Sequence, residues 1–173
     1  MKPLRECIER TLHWQQPSAL QQRHELRDGE SEVATLEFRN SFGTLATAQT
    51  AEGSWSFKRV GFFRTYVTIR AGDSEQDLGV FRPNTWSAGG TLELPDGRHF
   101  RADTNLWMTR YSFASTDEQP LVSFRRIAGV LHHSAEVTVH ESARDLRELP
   151  WIVPLGWYLA LLMQQDSGVA AAS

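Results

Sequence analysis

Residues 150–163 read PWIVPLGWYLALLM, and this stretch decides the fold. It contains no charged residue, and its apolar side chains point in every direction around a helical wheel. A helix that is apolar on all sides is buried on all sides. Pro154 suits a first helical turn, because its missing N–H has no intrahelical partner there, and Gly168 suits a helix end. We therefore predict a buried helix over residues 154–165.

The length of this helix argues against a membrane span. Twelve residues at 1.5 Å each make a rod of about 18 Å. A bilayer core needs about 20 consecutive apolar residues. We therefore expect a core helix and no transmembrane segment.

The composition of the chain narrows the class of protein to which it can belong. The chain has 173 residues, of which 40% are hydrophobic and 23% are charged, as in ordinary globular proteins. Its net charge of −3 gives no support for nucleic-acid binding. The single cysteine, Cys7, excludes an internal disulfide and a cysteine-based zinc site. The first residues contain no apolar run of the secretory kind, so we expect a cytoplasmic protein.

The chain before residue 150 alternates short strand-like runs with turn signals. Asp28-Gly29, Glu52-Gly53 and Asp96-Gly97 each favour a tight turn between two such runs. Ten to twelve short strands follow one another at intervals of about eight to twelve residues, a pattern typical of β-sandwiches and barrels. The apolar residues within residues 1–19 are spaced so that this segment can form a short N-terminal helical extension. We see no linker, so residues 1–173 are expected to form a single domain.

Together these patterns predict a mainly β fold. A closed antiparallel barrel of about twelve strands has an interior that must be filled. The hydrophobic C-terminal helix is the obvious element to fill it, and closure also removes exposed strand edges.

This layout resembles the tubby C-terminal-domain-like superfamily, which includes LURP-one-related proteins and phospholipid scramblases. The resemblance covers residues 22–165 and rests on the three turn signals and the apolar helix. It implies a twelve-stranded barrel around a central helix. It also implies a role in binding phosphoinositide headgroups through surface cations, or one related to scramblases.

Five cations form the candidate binding site for a phosphate or headgroup. They lie in consecutive strand-like segments, and arginine suits bidentate phosphate recognition. The alternative is a solvated barrel face on which these side chains pair with Glu37, Glu52 or Asp77. The five residues are Lys58, Arg59, Arg64, Arg70 and Arg82.

No catalytic residue, metal site or cofactor is predicted. His132, His133 and His140 are interpreted as surface histidines, because an extended strand would separate His132 from His140 by far more than a shared metal allows. The chain contains no Gly-x-Ser-x-Gly nucleophile motif and no phosphate-binding glycine loop followed by lysine.

The predicted function is a non-enzymatic binding or interaction domain that recognises anionic phospholipid headgroups on the barrel surface, or another protein. Two alternatives remain open. One is a small-ligand barrel of lipocalin type with a hollow interior. The other is an enzyme whose residues gather from separate strand ends.

Overall fold

Twelve antiparallel strands close into a barrel around one long helix in the computed structural model, which describes residues 1–18, 21–40, 43–85, 89–105, 109–127 and 134–171. Each strand pairs with its neighbours in the sequence. The first strand also pairs with the last, Leu12 opposite Val137, and this pairing closes the barrel. The predicted fold class is therefore confirmed.

The strands are short and follow the chain in order. They are β1 (Thr11–Gln15), β2 (Arg23–Asp28), β3 (Ser31–Phe38), β4 (Ala46–Thr50), β5 (Gly53–Val60), β6 (Tyr66–Ala71), β7 (Asp77–Pro83), β8 (Gly89–Glu93), β9 (His99–Thr104), β10 (Arg110–Ala114), β11 (Pro120–Ile127) and β12 (Ser134–Val139). The three turn signals each fall at a hairpin. At the first, Gly29 has φ of 57°, a backbone conformation that glycine adopts without strain.

The N-terminal segment differs from the expected helical extension. Only Leu4–Cys7 form a single 3₁₀ turn, and Thr11–Gln15 form β1. Leu12 and Trp14 face the barrel interior while their neighbours are exposed. This alternation of period two places the segment in the sheet, where it closes the barrel.

The helix α1 (Leu149–Ala171) begins five residues earlier than predicted. Pro150 occupies the first turn, the position that the prediction gave to Pro154. The N–H groups of Trp151 and Ile152 bond to the carbonyl of Glu148. Pro154 therefore lies inside the helix, where its ring removes one backbone hydrogen bond near the N-terminal end.

The helix fills the barrel with aromatic contacts. Trp157 stacks on Trp14, and Tyr158 packs between Phe38 and Phe57. Every residue from 149 to 162 is buried. The helix thus occupies the space that a lipocalin-type barrel leaves for its ligand.

Candidate functional site

The two ends of the barrel differ in charge. Because neighbouring strands are antiparallel, connections after even-numbered strands lie at one end and those after odd-numbered strands belong to the other. All five connections between an even-numbered strand and the next contain Asp or Glu, and we call this the acidic end. Its acidic turn residues are Glu30, Glu52, Asp73, Glu75, Asp96, Asp117 and Glu118.

The segments after odd-numbered strands differ from these turns in their content of acidic residues. None of these six stretches of sequence contains Asp or Glu. The helix begins near the end of β12, at the acidic end, and its C-terminal half reaches the other end, where Asp166 contacts Arg59 of β5. We call this second end the mouth of the barrel.

The most unusual surface feature of the mouth is the connection between β5 and β6. We call residues 61–65 the aromatic loop. Phe62 is 89% exposed and Phe63 is 94% exposed, and their rings form an edge-to-face pair with centroids 5.1 Å apart. Single exposed apolar residues are common, whereas two adjacent and almost fully exposed phenylalanines form a contiguous apolar patch.

Gly61 gives the aromatic loop a defined shape. Its φ is 96°, and a Cβ at this position would lie 2.5 Å from the carbonyl oxygen of Arg64. Only glycine allows this close approach without strain. The two phenylalanines are thus presented by a tight turn.

Two of the five predicted binding cations accompany the aromatic loop. Arg64 belongs to it, and Lys58 lies on the outer face of β5, two residues before its end. Both are exposed, and neither forms an ion pair within the described part of the chain. They leave positive charge available beside the exposed rings.

Arg59 points inward, away from the other four cations. It shares a face of β5 with Trp55 and Phe57, which are buried in the barrel. Its Nη1 atom donates to both carboxylate oxygens of Asp166 on α1, at 2.7 and 2.9 Å. This ion pair ties the C-terminal half of the helix to the mouth.

The last two predicted cations are held by carboxylates on the outer wall. Arg70 Nε donates to Asp77 at 2.7 Å, and Arg82 Nε donates to Glu93 at 3.0 Å. The guanidinium of Arg82 also lies 5.4 Å from the centre of the Tyr66 ring. Three of the five cations are therefore bound to carboxylates, and the predicted pairing with Asp77 is confirmed.

A pocket of about 190 Å³ lies at the mouth between the helix and the wall. We call it the mouth pocket. Its apolar lining includes Val67, Phe81, Leu159, Leu162 and Met163. Its polar lining includes the Arg59–Asp166 pair and Tyr66, the first residue after the aromatic loop.

Tyr111 of β10 also lines the mouth pocket. Its ring packs edge-to-face against Phe113 and Phe124, and the residue is only 5% exposed. Its hydroxyl is buried without a hydrogen-bond partner among the described residues. Burial, with a smaller contribution from the charge of Asp103, holds the pKa of Tyr111 well above its usual value. The group is therefore a neutral donor at physiological pH.

Ser123, His140 and Glu9 form a chain of side-chain contacts on the outer wall. Ser123 Oγ is 2.8 Å from His140 Nε2, and His140 Nδ1 is 3.9 Å from Glu9 Oε1. The order resembles a nucleophile, base and acid. However, Ser123 lies within β11, which pairs with a strand on each side, so its backbone offers no free N–H pair as an oxyanion hole.

The same Glu9 oxygen also accepts the backbone N–H of Glu141 at 2.8 Å. These contacts link the chain after β12 to the segment that precedes β1, and we interpret them as structural. His132 and His133 lie outside the described residues. Within the described ranges, no group of three or more His, Cys, Asp or Glu side chains is placed to hold a metal ion.

Comparison with known proteins identifies no relative: no protein family, curated protein or solved structure matches this chain. The resemblance to tubby-like domains therefore stays a prediction. Among the described residues, no helix is long and apolar enough to cross a membrane.

Proposed function

We propose that this barrel binds anionic phospholipid membranes reversibly, with the aromatic loop at the interface and the acidic end facing away. The observation that carries this proposal is the pair of fully exposed phenylalanines beside cations without ion pairs. Aromatic side chains favour the membrane interface, and nearby cations are attracted to anionic headgroups.

The charge distribution supports one orientation. The acidic turns at the far end of the barrel would be repelled by an anionic surface. The segments that connect strands at the mouth contain no Asp or Glu, and the helix carboxylate at the mouth, Asp166, is paired with Arg59. The field of the whole molecule would therefore turn the mouth toward the membrane as it approaches. A net charge of −3 does not prevent this orientation, because its direction depends on the distribution of charge.

The expected affinity is modest. Each phenylalanine gains about 2 kcal/mol when it is fully buried in an apolar environment. Each cation near an anionic surface contributes about 1 kcal/mol. Part of this gain is lost to the entropy of association, so binding is reversible and weakens as salt increases.

Sedimentation with vesicles tests the proposal. Phosphatidylcholine vesicles containing increasing phosphatidylserine are mixed with the wild type and with the double variant Phe62→Ser/Phe63→Ser. We expect wild-type binding to rise with phosphatidylserine, and the double variant to bind at least about tenfold more weakly. Both side chains are exposed, so their replacement leaves the core intact.

The matched control is Glu75→Ser/Gln76→Ser, two exposed residues in the turn after β6 at the acidic end. It should bind as tightly as the wild type or slightly more tightly. Equal binding by the wild type and the phenylalanine variant, or no preference for anionic vesicles, would reject the proposal.

A further inference from the structure

We infer that the mouth has a second membrane contact on the side opposite the aromatic loop, so that the barrel rests with its whole mouth on the bilayer and engages several anionic headgroups at once. The second contact consists of Arg110, Arg126 and Ile127. This inference rests on the proposed function, since both contacts would bind the same anionic membrane. None of the three residues belongs to the predicted binding site.

The distribution of cations without ion pairs is the first argument. Six of the 18 lysine and arginine residues form no ion pair within the described ranges. Arg5 precedes β1 at the acidic end. The other five, which we call the mouth cations, lie in a mouth connection or within two residues of the mouth end of a strand. They are Arg39, Lys58, Arg64, Arg110 and Arg126.

The mouth cations fall on two opposite arcs of the barrel. Arg39, Lys58 and Arg64 lie between the end of β3 and the start of β6, whereas Arg110 begins β10 and Arg126 lies near the end of β11. Half of the twelve strands separate β5 from β11. At about 4.8 Å between neighbouring strands, a ring of twelve has a diameter of about 20 Å. One phospholipid headgroup is too small to bridge the two arcs, so each arc requires its own headgroups.

The exposed apolar side chains are the second argument, because they show the same distribution. Within the described part of the chain, three of the four large hydrophobic residues that are exposed lie at the mouth: Phe62, Phe63 and Ile127. Ile127 is 43% exposed and directly follows Arg126 at the end of β11. This rim therefore repeats the combination of exposed apolar side chain and cation that the aromatic loop presents on the opposite side, a combination that suits an anionic bilayer.

A pair of arginines on this side is the third argument. Arg110 lies directly opposite Arg125 in the ladder between β10 and β11. Like charges in directly opposite positions destabilise a sheet. Arg125 donates to Glu136 at 2.9 Å, whereas Arg110 has no carboxylate partner among the described residues. Both arginines line a pocket of about 410 Å³ on the outer wall. An anionic headgroup there would offset the repulsion through charge-assisted hydrogen bonds.

The first test measures contact at the second site directly. A fluorophore is attached to Ile127→Cys, and quenching by nitroxide lipids is measured in vesicles of phosphatidylcholine and phosphatidylserine. The control is the same fluorophore at Asp117→Cys, an exposed position in the turn between β10 and β11, on the same side of the barrel but at the acidic end. We expect strong quenching at position 127 and little at position 117. Equal quenching at both positions, or none at position 127 on bound protein, would overturn the inference.

A charge-matched pair of variants gives the second test. Arg110→Ser should weaken binding to phosphatidylserine vesicles about fivefold, because one cation leaves the membrane surface. Arg5→Ser makes the same change of net charge at the acidic end and should weaken it less than about twofold. Both side chains are exposed, so the core stays intact. Equal weakening in both variants would contradict the second contact.

The lipid dependence tests whether several headgroups are engaged. Wild-type binding should rise more steeply than in proportion to the fraction of phosphatidylserine, and a strictly proportional rise would contradict the inference. The outcomes also separate it from the proposed function. Vesicle binding that depends on Phe62 and Phe63 but is unchanged in Arg110→Ser, without quenching at position 127, would overturn the second contact alone. Absence of wild-type binding to anionic vesicles would overturn both.

Discussion

The indole ring of Trp157 on α1 lies flat against the indole ring of Trp14 on β1, with centroids 6.0 Å apart and planes within 9°. Both residues are almost fully buried. The contact joins the central helix to the strand that closes the barrel between β2 and β12. Helix burial and barrel closure therefore depend on the same pair of side chains.

Replacing Trp157 with Asp tests whether the helix is the core of the barrel. The carboxylate would be buried without a partner, which costs several kcal/mol and approaches the whole stability of a small domain. We expect Trp157→Asp to be unfolded or insoluble, and Trp157→Phe to remain folded with reduced stability. Circular dichroism and thermal unfolding give the readout. A folded and soluble Trp157→Asp protein would show that the helix is not central.

Gly156 allows the helix to approach the wall at Phe124. A Cβ at position 156 would lie 2.3 Å from Cζ of Phe124 and 2.4 Å from its Cε2. Forcing an extra methyl group into a packed core costs about 1–3 kcal/mol. The higher helix propensity of alanine offsets about 1 kcal/mol of this cost, so we expect Gly156→Ala to be destabilised by up to about 2 kcal/mol, as measured by chemical denaturation.

The Phe124→Leu change should relieve this clash. In a double-mutant cycle, Gly156→Ala combined with Phe124→Leu should be more stable than the sum of the single effects predicts. Strict additivity of the two changes would show that the ring does not set the distance between helix and wall.

Because the phenol of Tyr111 is buried, we expect the free energy of unfolding to depend on pH in the alkaline range. Its pKa is raised in the folded state, chiefly by burial, so the unfolded chain releases this proton first as pH rises above about 10. The free energy of unfolding should therefore fall above that pH. Tyr111→Phe should lose less stability over the same range, and an identical alkaline loss in both proteins would contradict the assignment.

The Arg59–Asp166 pair predicts how charge at the mouth controls membrane affinity. Asp166→Asn removes the carboxylate that holds Arg59 and makes the mouth more positive by one charge. We expect binding to anionic vesicles to strengthen about fivefold, because one cation near the surface contributes about 1 kcal/mol. Vesicle sedimentation at low salt measures the change.

Asp73→Asn is the matched control, because it makes the same change of net charge in a turn at the acidic end. It should change affinity much less than Asp166→Asn. Equal strengthening in both variants would mean that net charge, and not its position, governs binding.

Much of the fold could be predicted from the sequence because its signals are local. The uncharged stretch around Trp157 indicates a buried helix without knowledge of its neighbours. The predicted helix start at Pro154 is wrong because both Pro150 and Pro154 suit a first turn, and only the bonds to the carbonyl of Glu148 show which one occupies it. The sequence does not predict strand β1, because five residues are too few for alternation to exceed a helical pattern.

The candidate site was harder to predict, since it depends on which face each residue occupies. One signal was available: Arg59 continues the alternation of Trp55 and Phe57, so it belongs to the interior and not to the cationic outer wall. No comparable signal in the sequence indicates that Phe62 and Phe63 are exposed. Adjacent phenylalanines are equally compatible with a buried strand, and only the completed barrel shows that they extend into solvent.

The depth of the aromatic loop in a membrane tests the central claim most directly. A fluorophore is attached to Phe63→Cys, and quenching by lipids with nitroxides at known depths is measured in phosphatidylserine-containing vesicles. The native Cys7 does not compete for the label, because it is buried and burial raises the pKa of its thiol. The same fluorophore at Asp73→Cys serves as the control.

The account predicts strong quenching at position 63 by nitroxides just below the headgroups and little quenching at position 73. Equal quenching at both positions, or none at position 63 while the protein is bound to vesicles, would contradict it.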